Sequence, residues 1–184
     1  MKSASSNVRM RLQQAAVAMF RERGYDRTTA AEIAARVGVT ERTFFRHFPD
    51  KREVLFDGQQ ALMDALTASI ADAPKGLGPL DMLFRAFRSV TALLENNRSF
   101  SHPRQAVIAA TPALHERELS KLEALSDALA LALRDRGVPD LPAALAAHAG
   151  MAAFAHATLA WLADDDLDLA ERLDRAERAL KSLL

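Results

Sequence analysis

The chain has 184 residues, 49% apolar and 26% charged, which fits one or two soluble domains with a sizeable core. Cysteine is absent, which excludes disulfides and thiolate chemistry and suits a reducing cytoplasm. Net charge is zero, yet residues 1–58 carry 11 Lys+Arg against 7 Asp+Glu while the remainder carries 13 against 17. A basic N-terminal part on an acidic body is the pattern of a nucleic-acid-facing module.

No stretch alternates apolar and polar residues convincingly, so the expected fold class is all-α. A first helix is predicted from about Asn7 to Arg23, with Val8, Leu12, Ala15, Ala16, Met19 and Phe20 on one face. Gly24 suits the left-handed position that ends it. Thr29 and Glu32 form a capping box for a second helix with Ala30, Ile33, Ala34 and Val37 on its apolar face. Gly38 permits a sharp turn, Thr40 caps a third helix through Phe48, and Pro49 stops it. Asp50 and Glu53 form another capping box, predicting a long fourth helix through Val54, Leu55, Leu62, Met63, Leu66 and Ile70. Pro74-Lys75-Gly76-Leu77-Gly78-Pro79 is the strongest break in the chain. Further helices are expected at about 79–97, 103–110, 112–135, 140–163 and 168–184. The domain organisation expected is a three-helix helix-turn-helix domain over 1–50 and a larger helical domain over 51–184.

Leu141 to Ala163 contains no Asp, Glu, Lys or Arg, and a membrane span needs about 20 residues. It is mostly alanine and includes His148 and His156, so it reads as a buried helix rather than a span. The N-terminus lacks the apolar region of a signal peptide.

The chemistry concentrates between Thr28 and Lys51. Ile33, Val37, Val39, Phe44 and Phe48 are placed to pack with Leu12, Ala16, Phe20 and Tyr25. That leaves Thr40, Arg42, Thr43 and His47 on the outer side of the third helix. Arg42 reaches guanine acceptors, and Thr43 suits a base donor contact or a thymine methyl. Thr28, Thr29, His47 and Lys51 sit where helix termini hold backbone phosphates. Arg46 suits a surface ion pair as well as it suits DNA. Glu41 either orients Arg42 or favours the helix N-terminus electrostatically.

Residues 8–55 resemble the N-terminal DNA-binding domain of the TetR (tetracycline-repressor) family of bacterial regulators. The pattern is Gly24-Tyr25, Thr28-Thr29, Ile33-Ala34, Val37-Gly38-Val39-Thr40, Thr43-Phe44-Phe45-Arg46-His47-Phe48 and Lys51. The resemblance implies an all-helical homodimer whose two heads bind a palindromic operator, with a C-terminal domain that binds a small effector. It also implies a DNA contact at Phe45, where family members often carry a tyrosine whose hydroxyl meets a phosphate. Phe45 lacks that donor and is expected to pack on sugar or a thymine methyl group.

Leu169, Leu173, Ala176, Leu180 and Leu183 recur at spacings of 4, 3, 4 and 3, a helix-packing seam. Ala149, Gly150 and Ala153 allow close approach, so a dimer interface is expected from helices 140–163 and 168–184. Phe84, Phe87, His115, His148, Met151, Phe154 and Trp161 are the candidates for an effector pocket, which their character suits to a hydrophobic or amphipathic ligand. Asp164-Asp165-Asp166 suggests a helix end and cap, with a divalent cation as the other option. No histidine pair has the spacing of a helical metal site, no cofactor motif is present, and no nucleophile–base set or phosphate loop points to an enzyme. The function expected is a sequence-specific transcriptional regulator, a repressor released by its effector. The alternative is an architectural DNA-binding protein without ligand response, against which zero net charge speaks.

Overall fold

The computed structural model describes residues 2–164 and 166–183, with side chains from Asn7 onward. Among them every regular element is helical: α1 (Lys2–Arg23), α2 (Ala30–Arg36), α3 (Glu41–His47), a 3₁₀ turn (Glu53–Leu55), α4 (Gln59–Ala71), α5 (Pro79–Ser89), α6 (Thr91–Asn96), α7 (Arg98–Ala109), α8 (Pro112–Asp135), α9 (Asp140–Ala163) and α10 (Leu169–Lys181).

Three elements differ from expectation. Asp50 does accept the backbone N–H groups of Arg52 and Glu53, at 2.7 and 3.1 Å, but only the 3₁₀ turn follows. Val54, Leu55 and Phe56 are all buried, and three successive side chains cannot share one face of an α-helix. The chain turns at Gly58 (φ +88°), and α4 starts after it. The helix expected over 79–97 divides at Val90 into α5 and α6. There the Ser89 and Thr91 hydroxyls donate to the carbonyls of Ala86 and Arg88, in competition with the helical ladder. Helix α7 begins at Arg98 and carries Pro103 within it, with Phe100 packed on a core that holds this first stretch in place. Leu184 and Asp165 lie outside the described residues.

The chain forms two compact units: residues 1–57 with 99–118, and 58–98 with 119–184. In the first, Leu12, Ala16 and Phe20 of α1 meet Ile33, Ala34, Phe44 and Phe48, with Val37, Val39 and Tyr25 partly buried around them. Burying each phenylalanine stabilises this unit by about 1.5–3 kcal/mol. The same core takes in Val54, Leu55, Phe56, Val107, Ile108 and Leu114. Arg104 of α7 donates from Nε to the Leu55 carbonyl at 2.5 Å, lies 5.1 Å over the Phe56 ring and pairs with Glu118 at 3.4 Å. Arg117 pairs with Glu53 at 2.8 Å.

In the second unit α9 packs on α5 and α10, and α4 on α5. Its buried stripe is Ala143, Ala147, Gly150, Met151, Phe154, Ala157, Trp161 and Leu162. By length and composition α9 is able to cross a membrane, but this stripe is used inside the unit. Gly150 permits the approach of α5, since a Cβ there would lie 3.1 Å from Leu83 Cδ1. Asp168 caps α10 by accepting the Glu171 N–H at 2.8 Å. Arg88 pairs with Asp174 and Glu177, and Lys181 with Asp81 and Glu177; such exposed pairs contribute little each.

Candidate nucleic-acid interface

Helix α2 is capped at both ends by local chemistry. Thr29 Oγ1 accepts the Glu32 N–H at 3.2 Å, and Glu32 accepts the Thr29 N–H at 2.8 Å, a complete capping box. The Thr29 backbone N–H and then its hydroxyl hold the Glu32 carboxyl below its ordinary value. At the other end Gly38 (φ +74°) is left-handed. Its N–H bonds the Ala35 carbonyl and that of Val39 bonds Ala34, both at 3.0 Å, closing the helix and turning the chain toward α3.

Helix α3 starts on Thr40, whose Oγ1 accepts the Thr43 N–H at 3.2 Å and lies 3.1 Å from the Thr43 hydroxyl. Phe44 and, just past the helix, Phe48 are buried, which fixes the outer face. Glu41, Arg42, Phe45 and Arg46 are exposed, and Thr43 and His47 half-buried. Phe45 is 48% exposed, its ring held edge-on to Phe44 at 5.5 Å. Neither Arg42 nor Arg46 has a hydrogen bond or ion pair among the described residues, so both guanidiniums are available to an external anion. Arg46 was left undecided by sequence; among the described residues it has no carboxylate partner. Burial, then Arg46 and Arg9, push the His47 imidazole below its ordinary value, and its Nε2 is buried with no hydrogen-bond partner among the described residues.

Thr28 and Lys51 depart from expectation. Thr28 is fully buried and its hydroxyl donates to the Gly24 carbonyl at 2.9 Å, so its side chain is not available to a phosphate. Lys51 Nζ donates to the carbonyls of Tyr25 and Thr28 at 2.8 and 2.9 Å and sits 3.9 Å over the Tyr25 ring. Acceptors on the backbone leave no trace in a sequence, so this bonding was not foreseeable.

Five of the seven expected effector residues lie together, as core rather than as the lining of a described cavity. Phe84, Phe87, Met151, Phe154 and Trp161 share the core of the second unit, with Phe87 stacked on Phe154 at 4.6 Å and edge-on to Phe84 at 5.6 Å. His148 is exposed, held by the Ala144 carbonyl at 2.9 Å and Glu123 at 3.3 Å, and His115 is exposed in the other unit. The residues expected at the dimer seam divide by exposure. Gly150, Leu169 and Leu173 are buried inside the subunit, Ala149, Ala153, Ala176 and Leu180 are half-buried, and Leu183 is exposed. The outward face of α9 is instead Leu141, Leu145, Ala152, His156 and Leu159. Within the subunit the seam is buried at Leu169 and Leu173, while Ala176, Leu180 and Leu183 keep exposed surface. Asp164 pairs with Arg172 and accepts the Asp166 N–H at 3.2 Å, a helix-end role.

A short capped helix, a glycine turn and a second short helix presenting unpartnered arginines define a helix-turn-helix head on an all-helical body. The family of this head extends through the body: residues 12–57 match the model of bacterial regulatory proteins of the tetR family, and residues 77–184 match that of the MftR C-terminal domain. The chain belongs to the TetR family of bacterial transcriptional regulators. It is similar to the HTH-type transcriptional regulator TcmR of Streptomyces glaucescens, 31% identical over 139 residues, 72% of this chain and 62% of that one. The chain spans about a third to three-fifths of the length of the curated relatives it matches. The crystal structure of Thermus thermophilus FadR, a TetR-family repressor in complex with lauroyl-CoA, superposes with a TM-score of 0.58 at 29% identity, covering 94% of this chain and 93% of that one. The SmeT–triclosan complex shares the fold, with a TM-score of 0.68 at 22% identity over 96% and 91% of the two chains.

Proposed function

We propose that the protein is a cytoplasmic, homodimeric repressor that binds a palindromic operator and is released by a small hydrophobic or amphipathic effector. The observation that carries this is the outer face of α3, where Arg42 and Arg46 flank an exposed Phe45 and have no intramolecular partner among the described residues. Arg42, near the helix N-terminus, faces base edges, while Arg46, Thr29 and Thr40 serve the phosphates. Residues 1–50 form the reading domain and 51–184 the effector and dimerisation domain, with 99–118 packing in the unit that holds α1 to α3. The outward apolar face of α9, with Leu145, Ala152 and Leu159, supports pairing of two copies. The lauroyl-CoA complex of the Thermus relative supports an amphipathic effector. Release follows when the effector changes the separation of two heads set for successive major grooves, about 34 Å apart.

Footprinting of the purified protein on DNA flanking its own gene tests this, at about 0.15 M salt where weak electrostatic binding is suppressed. A protected inverted repeat is expected. Diffuse protection with a steep salt slope would replace the repressor with an architectural binder.

A further inference from the structure

Glu41 is the first residue of α3 and the only acidic one in that helix. It is exposed, and among the described residues its carboxylate has no hydrogen bond or ion pair, either with the neighbouring Arg42 or with a backbone N–H. The cap is already supplied by Thr40, whose Oγ1 accepts the Thr43 N–H. An acid in a first turn also favours the helix dipole, but a bound duplex opposes that small benefit with its own negative charge. Helical side chains lean toward the N-terminus of their helix, so Glu41 and Arg42 reach toward the end of α3 that meets base edges in a helix-turn-helix.

A bare carboxylate in that place weakens binding unless it meets a donor. The major-groove edges offer two donors, adenine N6 and cytosine N4. Adenine N6 stands beside the N7 acceptor, which repels a carboxylate, whereas cytosine presents its amino group alone. Arg42 carries the opposite chemistry and fits O6 and N7 of guanine, the base that pairs with cytosine. We propose that Glu41 is a specificity-determining residue: its carboxylate accepts from N4 of a cytosine in each half of the operator, at or next to the pair that Arg42 reads. This rests on the DNA-binding reading above and deepens it by naming a base.

The test is selection of bound duplexes from a random library by the full chain and by its Glu41→Gln and Glu41→Ala variants, followed by competition binding on the selected duplex. Glutamine offers a donor beside an acceptor, which fits adenine N6 and N7. The wild-type protein is expected to enrich a motif with cytosine at one fixed position in each half. Glu41→Gln should turn that C·G pair into A·T and leave the rest of the motif unchanged. Exchanging the pair in one half should weaken the wild-type protein by about tenfold and the Glu41→Ala variant by less than about twofold. The change to A·T should persist when Arg42→Ala is added, which a role exerted through Arg42 does not allow. If both Glu41 variants enrich the wild-type motif and bind all duplexes alike more tightly, Glu41 is a repelled surface charge and the proposal falls while the DNA-binding reading stands. If the wild-type protein enriches no motif, the DNA-binding reading itself fails and the proposal goes with it.

Discussion

Phe87→Ala distinguishes a closed core from an effector pocket in the second unit. Phe87 is 0% exposed, stacked on Phe154 and edge-on to Phe84, and its ring lies 3.6 Å from where a Cβ at Gly150 would stand. Truncating a buried phenylalanine costs about 3–5 kcal/mol, from lost transfer energy plus the cavity left behind. The two aromatic contacts, worth about 0.5–1.5 kcal/mol each, place this site in the upper part of that range. Against a total stability of about 5–15 kcal/mol, that is a large fraction. Urea unfolding followed by Trp161 fluorescence is the assay, since the chain has one tryptophan and it is buried in the same core. With a slope of about 1–3 kcal/mol/M, the midpoint should fall by roughly 2 M at an unchanged slope. A loss under about 1 kcal/mol would refute the reasoning, because a ring bordering open space leaves no new cavity when it is removed.

Arg42→Ala should cost about 1–3 kcal/mol on the correct duplex and relax preference at one base position, whereas Arg46→Ala should weaken binding uniformly and make the salt slope shallower by about 0.9; competition binding against single-base variants separates the two. Because burial holds His47 below its ordinary value, the folded protein keeps it neutral while the unfolded chain takes up the proton first, so its contribution is intact above about pH 6.5 and lost as pH falls through the window beneath. His47→Gln should flatten that part of the melting profile, and an unchanged profile would remove the effect. Gly150→Val should destabilise the subunit by about 1–3 kcal/mol through a clash with Leu83, seen as a lower melting temperature that does not depend on protein concentration; a loss confined to dilute protein would put Gly150 between subunits.

The reading head was legible because local chemistry dictates it. Thr29 with Glu32, Gly38 and Thr40 each specify a cap or turn within a few residues, and the buried phenylalanines of α3 leave only one face outward. The body was legible as helices but not as surfaces. Leu169 and Leu173 look the same in sequence whether they meet α9 of their own chain or that of a second copy. Likewise Phe84 and Phe87 carry no mark that separates core from cavity lining. The split at Val90 goes with the Ser89 and Thr91 hydroxyls and the turn at Gly58 follows the three successive buried side chains Val54 to Phe56, neither of which helical periodicity registers.

The core beneath α1 to α3 closes with Val107, Ile108 and Leu114, and with Arg104 reaching the Leu55 carbonyl. This limits how the protein can be re-engineered or recombined. A chimaera that transplants only residues 1–57 onto a foreign scaffold would leave Val54, Leu55 and Phe56 without the side chains that cover them. The transferable cassette is discontinuous: any graft that hopes to keep the core beneath α1 to α3 closed has to bring residues 99–118 with it, or supply a host surface of matching shape.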